Sequence, residues 1–306
     1  MNIYKGFDDY SCDRAACVTT GTFDGVHVGH KMLLQKLAKH ASQSNLESVL
    51  VTFDPHPRKV LFPEQEGLSL INTLDEKLEL LESVGLDSVI VQPFTTEFSR
   101  TTALHYVRDL LVSKVGMKKL VIGYDHQFGK NREGSIENLK EMAPVYDFEV
   151  DEIPVQVVDD ANVSSTKIRY ALTDGNVKEA NAYLGYAFFV SGKVVSGEGR
   201  GKGLGFPTAN LQVAEDKVIP KNGVYAVDIV MAGNQMKGVV NIGNKPTFGD
   251  QLTSTIEVHI LDFDDDLYSK QMRVVFKDRI RDEIRFDSSD LLRAQIAKDA
   301  RLASDM

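Results

Sequence analysis

Around Gly185 the hydrophobic texture of the chain changes, and that switch constrains the fold more than any other feature. From residue 15 to about residue 182, short apolar runs alternate with longer amphipathic ones. Residues 15–20, 48–53, 88–91 and 119–122 read as short buried strands. Residues 31–41 place Met32, Leu33, Leu37 and Ala38 at helical spacing, and 74–84 and 102–115 read as further helices. Strands alternating with helices predict a parallel sheet covered on both faces. After Gly185 the runs become VSGKVVSG, GVYAVDIVMAGNQMKGVVNIG, STIEVHILDF and QMRVVF, rich in Val and Ile with polar interruptions. The Gly233-Asn234 pair between two of them signals a hairpin. Only 288–304 returns to helical spacing, through Leu291, Leu292, Ile296 and Ala300. The expectation is α/β: a Rossmann-like parallel-sheet domain over 1–184, then a small antiparallel β-barrel closed by one helix over 185–306. A chain of 306 residues has length enough for two cores.

Charge and cysteine content narrow the function classes. A formal charge of −9 argues against a broad nucleic-acid footprint, which needs clustered Lys and Arg. Cys12 and Cys17, five apart, fit neither paired zinc-ligand motifs nor a secreted disulfide framework. No apolar run reaches membrane-spanning length, and the first residues show neither a basic leader nor an apolar signal core. A cytoplasmic protein with no membrane partner is expected.

The segment Gly21-Thr22-Phe23-Asp24-Gly25-Val26-His27-Val28-Gly29-His30 joins the first strand to the first helix. In open parallel sheets ligands bind beyond the carboxyl ends of strands, where a helix N-terminus offers free N–H groups. Three glycines let the backbone approach closely, and His27 and His30 can aim ring donors at one oxyanion. The loop is therefore a polyphosphate site, suited to charge developing at an α-phosphate. GTFDG followed by HxGH resembles the HxGH nucleotidyltransferase superfamily, which fixes a reaction class and leaves the acceptor open. The segment 163–169, with Ser164, Ser165, Thr166 and Arg169, resembles the same family's second signature, which implies phosphate binding.

Two further segments follow strands: Thr52-Phe53-Asp54-Pro55-His56-Pro57-Arg58, and 123–134 with Asp125, Phe128 and Gly129. They resemble the FMN-adenylylating branch, and the resemblance implies flavin contacts from His56, Arg58, Asp125 and Phe128. His126 and Gln127 depart from the usual Phe-Arg pair there.

In the second half, glycine recurs at every second position from Gly197 to Gly205, with Arg200 and Lys202 interleaved. The spacing fits neither a P-loop nor a dinucleotide fingerprint. Followed by Phe206-Pro207-Thr208-Ala209-Asn210, the string RGKGLGFPTANL resembles the riboflavin kinase signature, with Lys202 where Arg is usual. That resemblance implies ATP contacts from Gly199, Arg200, Gly201, Lys202, Gly203, Gly205, Pro207, Thr208 and Asn210, with Thr208 and Asn210 as Mg²⁺ ligands. Segments 220–225, 241–249 and 256–260 continue the match. Glu257 and His259 alternate with Ile256, Val258 and Ile260, so they share one strand face. The resemblance makes Glu257 the base that deprotonates the ribityl hydroxyl of riboflavin, and puts Arg281 and Phe286 near the flavin. The acidic run Asp262, Asp264, Asp265 and Asp266 reads as a surface loop without EF-hand spacing.

The resemblance covers about residues 19–296 and is to the bifunctional riboflavin kinase/FAD synthetase family. It implies a transferase acting on riboflavin, FMN and ATP with Mg²⁺, with His27, His30 and Glu257 catalytic. Two alternatives stand beside it: a nucleotidyltransferase for another phosphorylated small molecule, and a flavin-binding sensor without turnover. The PTAN and Glu257 segments argue against the first, and the presence of every polar residue that catalysis needs argues against the second.

Overall fold

The computed structural model describes residues 1–11, 13–64, 67–123, 127–130, 133–153, 163–196, 205–246, 252–263, 265 and 267–306. They divide into two compact units, Met1–Leu68 with Leu74–Ser164, and Ser69–Thr73 with Ser165–Met306.

In the first unit six strands form one sheet: β1 (Asn2–Tyr4), β2 (Ala16–Thr20), β3 (Glu47–Asp54), β4 (Ser88–Pro93), β5 (Met117–Gly123) and β6 (Glu149–Ile153). Their order is β1-β4-β3-β2-β5-β6 and every pairing is parallel. The four inner strands are the four apolar runs of the sequence. Their continuity follows from burial on both faces: Val49 and Val51 of β3 enter one core with Val18, Ile90 and Leu111, while Leu50 enters another with Leu34, Leu37 and Leu81. Helix α1 (Val28–Gln43) buries Leu34, Leu37 and Ala41, whereas Met32, expected on the apolar stripe, is exposed. Next come α2 (Pro57–Leu61), α3 (Leu74–Glu82) and α4 (Ala103–His105). Helix α4 runs on as a wider π-helical stretch, Tyr106–Lys114, within the single helix expected over 102–115. Helix α5 (Ile136–Tyr146) is started by a capping box between Ser135 and Asn138. The strand order reverses at β2, with β3 and β4 on one side and β5 and β6 on the other, so the carboxyl ends of β2 and β5 flank the crevice where such sheets bind ligands.

The second unit holds a closed barrel of β7 (Phe189–Val195), β8 (Ala209–Val213), β9 (Gly223–Met231), β10 (Asn234–Pro246), β11 (Leu252–Ile260) and β12 (Gln271–Arg281). The barrel order is β10-β11-β8-β7-β12-β9, all antiparallel. Closure gives each of the six strands a neighbour on both sides. The β9–β10 hairpin forms one residue earlier than the sequence signal: Asn234 already pairs with Met231, and the turn residues are Ala232 (φ 49°) and Gly233 (φ 80°). A two-residue turn matching strand twist needs positive φ at both centres; glycine meets this freely and Ala232 at some cost.

Among the described residues this unit also has helices α6 (Ser165–Asp174), α7 (Val177–Leu184) and the closing α8 (Ser289–Asp305). Helix α7 is bound to the barrel. The Asn181 amide donates to Phe276 O at 3.0 Å and accepts from Phe188 N–H at 2.6 Å, while Lys178 pairs with Asp278 at 2.7 Å. Lys217, 3% exposed, donates to Ile71 O at 2.6 Å and lies over the Phe188 ring, which fastens the 69–73 segment to the same core. These contacts bear on an autonomous fragment. A 165–306 fragment should melt higher than a 185–306 fragment by about 5–10 °C in a thermal unfolding scan, because the shorter one lacks α6 and α7. Equal melting temperatures would show α6 and α7 to be dispensable.

Candidate functional site

The loop 21–30 leaves β2 at the switch point and enters α1 through His27, the N-cap. Phe23 (φ 49°) and Val26 (φ 36°) are left-handed, as is Gly25 (φ 90°). For a β-branched residue this is a strained conformation, worth about 1–3 kcal/mol, and it persists because Phe23 and Val26 are buried in the core behind the loop. Asp24 is buried at 4% exposure. His30 N–H donates to His27 Nδ1 at 3.3 Å, so the neutral His27 carries its proton on Nε2. The two imidazoles stack, with centroids 3.6 Å apart and planes 15° apart, and Phe23 closes on His30 at 4.8 Å. A side chain on Gly29 would meet the His27 ring and Val163 at 3.4–3.5 Å. The start of the 163–169 segment thus lies beside the first motif.

Burial lowers the pKa of His27 to about 4. For His30 it is well below the usual value through burial first, then His27 and Lys77. Both rings are neutral at physiological pH. His30 Nδ1 is buried without a hydrogen-bond partner among the described residues, a state that costs about 1–3 kcal/mol. A donor or acceptor on a bound molecule would relieve it.

This depression has a sign that can be tested. The unfolded chain takes up protons as pH falls below 6.5 while folded His27 does not, so stability is retained at neutral pH and lost as pH falls towards 4. His27 contributes up to about 3 kcal/mol of that loss. Chemical denaturation at pH 7 and pH 5 should show a weaker pH dependence in His27→Ala, and an unchanged slope would mean that the ring is not held neutral.

His56 caps α2 by accepting from Arg58 N–H at 3.2 Å, and Arg58 itself is exposed beyond β3. Phe128 lies in the core, 6.0 Å from the Tyr106 ring and bridged to Gly134. Gly134 is required there, since a Cβ would approach the Phe128 ring to 2.6 Å. Asp125 and His126 lie outside the described residues, whereas Gln127 is exposed. In the second unit, Ser165, Thr166 and Arg169 belong to α6, and Arg169 Nε donates to Ser69 O at 2.7 Å.

The barrel brings its candidates together through strand register. Glu257 on β11 stands opposite Asn210 on β8 and opposite Asn241 on β10. Ile256, Val258 and Ile260 point inward, which leaves the Asn210–Glu257–Asn241 row half-buried on the outer face. The His259 Nδ1–H donates to Pro207 O at 2.9 Å, and its ring meets Phe206 edge-on at 5.3 Å. His259 thereby ties the segment that carries Thr208 to the strand that carries Glu257. Two neighbours escaped the sequence reading as site residues. Glu283 Oε1 fills the space over Gly243, 2.5 Å from where a Cβ would stand, and Asn241 Nδ2 is 3.6 Å from the same point.

Asn210 stands opposite Glu257 in the β8–β11 register and Thr208 precedes it by two residues, so this segment carries a hydroxyl and an amide oxygen. Mg²⁺ prefers such hard oxygen donors, few from protein and the rest from phosphates and water, so the residues fit the ion. Gly205 is described and exposed; Gly199, Arg200, Gly201, Lys202 and Gly203 lie outside the described residues, as do 247–249, Asp264 and Asp266. Arg281 adjoins Phe286, its guanidinium 5.9 Å from the ring, but its Nε and Nη2 donate to buried Asp299 Oδ2 at 3.0 and 2.7 Å. Those bonds make Arg281 the anchor of α8.

Comparison with known proteins adds independent evidence. Residues 9–167 match the model of the FAD synthetase family, and residues 184–306 that of the riboflavin kinase family. A bifunctional riboflavin kinase/FMN adenylyltransferase from Escherichia coli K12 is 38% identical over 308 residues, covering 100% of this chain and 97% of that protein. One from Listeria monocytogenes is 38% identical over 279 residues, covering 91% and 88%. Among solved structures, a crystal structure described as a macrolide-efflux protein from Streptococcus pneumoniae superposes with a TM-score of 0.90 at 33% identity, covering 99% of this chain and 98% of that one. Among the described residues here, no helix is long and apolar enough to cross a membrane.

Proposed function

The chain belongs to the family of bifunctional riboflavin kinase/FMN adenylyltransferases, and from that premise we propose that residues 1–184 adenylylate FMN and residues 185–306 phosphorylate riboflavin. The observation that carries the kinase assignment is the register that sets Glu257 against Asn210.

In the kinase step the ribityl hydroxyl attacks the γ-phosphorus of ATP. Its O–H proton passes to the Glu257 carboxylate, the new O–P bond forms, and the bond to ADP breaks. Asn210 and Thr208 would hold Mg²⁺, which when bound neutralises phosphate charge. Asn241 flanks the base, and His259 keeps the Pro207–Thr208 turn against it.

In the adenylyl step an FMN phosphate oxygen attacks the α-phosphorus of ATP and pyrophosphate leaves. No general base is needed, because the nucleophile is already ionised. His27 donates from Nε2–H and His30 from its own ring N–H to the charge that grows on the α-phosphate, while the loop and the α1 N-terminus receive the phosphates. Gly21, Thr22, Phe23, Asp24, Gly25 and Gly29 shape this cradle. Ser164, Ser165, Thr166 and Arg169 are its proposed phosphate contacts, and His56, Arg58, Asp125 and Phe128 its flavin contacts. Arg281 and Phe286 are assigned to the kinase flavin site. A cytoplasmic location is in keeping with a chain of two cysteines.

The direct test is incubation of the purified protein with riboflavin, ATP and Mg²⁺, followed by chromatographic separation of the flavins. FMN should appear first and FAD after it. Absence of either product would remove the corresponding half of the assignment.

A further inference from the structure

Lys77 lies on α3, outside every motif singled out in the sequence, yet it is 8% exposed. Its Nζ donates to Thr52 Oγ1 at 3.1 Å and towards Thr22 O at 3.4 Å. Thr52 Oγ1 itself donates to Thr22 O at 3.2 Å. The three groups form a closed triangle at the carboxyl ends of β2 and β3, at the root of the 21–30 loop.

We propose that Lys77 is the positioning residue of the adenylyl-transfer site: its buried ammonium clamps the strained 21–30 turn at Thr22 and sets a fixed positive charge behind His30. Two physical needs meet in this one group. Phe23 and Val26 hold left-handed backbone, which survives only where the surroundings over-determine it, and the Lys77 and Thr52 bonds fix the carbonyl immediately before Phe23. A preorganised charge near the reacting phosphate is also worth more in a water-poor site than in solvent.

The electrostatics agree with the geometry. Burial lowers the pKa of Lys77, and the Asp24 and Asp54 carboxylates oppose that shift and favour the ammonium. The positive charge in turn contributes to keeping His30 neutral, behind burial and His27. His30 is then a neutral imidazole whose Nδ1 has no hydrogen-bond partner among the described residues, and a bound phosphate group can meet it.

The inference rests on the assignment of His27 and His30 to adenylyl transfer, so His30→Ala is measured alongside. In the full-length protein, Lys77→Met should lower kcat for FMN-to-FAD conversion by about 10–100-fold with little change in KM, since a bond to a charged group is lost. Lys77→Arg keeps the charge and should recover most of the rate, while riboflavin phosphorylation, the internal control, stays at wild-type level. Thr52→Val, which removes one corner of the triangle and leaves the lysine, should give an intermediate loss and serves as the readout if Lys77→Met fails to fold. Normal kcat in Lys77→Met, or Lys77→Arg no better than a folded Lys77→Met, overturns the proposal, as does a wild-type rate in Thr52→Val. If His30→Ala also turns over normally, the histidine assignment falls; if His30→Ala is inactive and Lys77→Met normal, only the lysine role falls.

Discussion

Replacing His27 and His30 together by alanine is expected to lower FMN-to-FAD conversion by at least about 10³, since one oxyanion donor alone is typically worth about 10²–10³ in rate. The two losses will not multiply, because the rings stack at 3.6 Å and His30 N–H leans on His27 Nδ1, so each holds the other in place. FMN formation from riboflavin should continue near the wild-type rate, because the proposed kinase chemistry needs neither ring. The measurement is both half-reactions on one preparation, with FMN supplied directly for the second. Normal adenylylation by the double variant would remove both histidines from the mechanism. Loss of both activities would point to a folding defect, which thermal unfolding would reveal. Stability should fall by about 0.5–2 kcal/mol through loss of the His27 N-cap, offset in part because His30 Nδ1 has no hydrogen-bond partner among the described residues.

How far the fold can be read from the sequence follows from burial. The inner strands β2, β3, β4 and β5 carry apolar side chains on both faces and so appear as continuous runs. The edge strands are different. β6 reads EVDEI, with only Ile153 buried, and β1 has three residues, so neither rises above its surroundings. Helix α1 was visible, with Leu37 buried and Leu33 and Ala38 packed against the same core, and of the expected stripe Met32 alone is exposed. Helix α7 buries Val177, Ala180 and Leu184, a stripe too short to distinguish from the end of a preceding helix.

The candidate sites were legible where several residues share one loop and obscure where register or a distant element supplies the neighbour. GTFDG and HxGH lie within ten residues of each other. Asn210 and Glu257 are 47 residues apart and meet only through β8–β11 pairing, so spacing alone could not join them. Lys77 reaches the first site from a helix whose sequence LDEKLELLE looks like ordinary solvated amphipathic surface. Arg281 is a similar case: the Asp299 carboxylate that its guanidinium meets comes from a helix 18 residues later, which spacing along the chain does not announce.

The Glu257→Gln substitution separates chemistry from scaffold most cleanly. The side chain is half-buried on the outer face of β11, between Asn210 and Asn241, so an amide of the same shape fits without disturbing the inward Ile256 and Val258. What it loses is the carboxylate's charge and with it the capacity to accept a proton. If the carboxylate takes the ribityl proton, FMN formation should fall by about 10²–10⁴ while riboflavin binding survives. Conversion of supplied FMN to FAD should remain near wild type, since that nucleophile arrives ionised and its proposed site is in the other unit. A surface glutamate with no chemical task would be nearly silent, because substitutions of that kind usually stay within about 0.5 kcal/mol. Both half-reactions are measured at saturating ATP and Mg²⁺, with riboflavin binding followed separately by fluorescence quenching. Unchanged kinase turnover would strip Glu257 of its role, whereas a kinase-specific loss with binding intact calls for a carboxylate at the position where β8 and β11 meet.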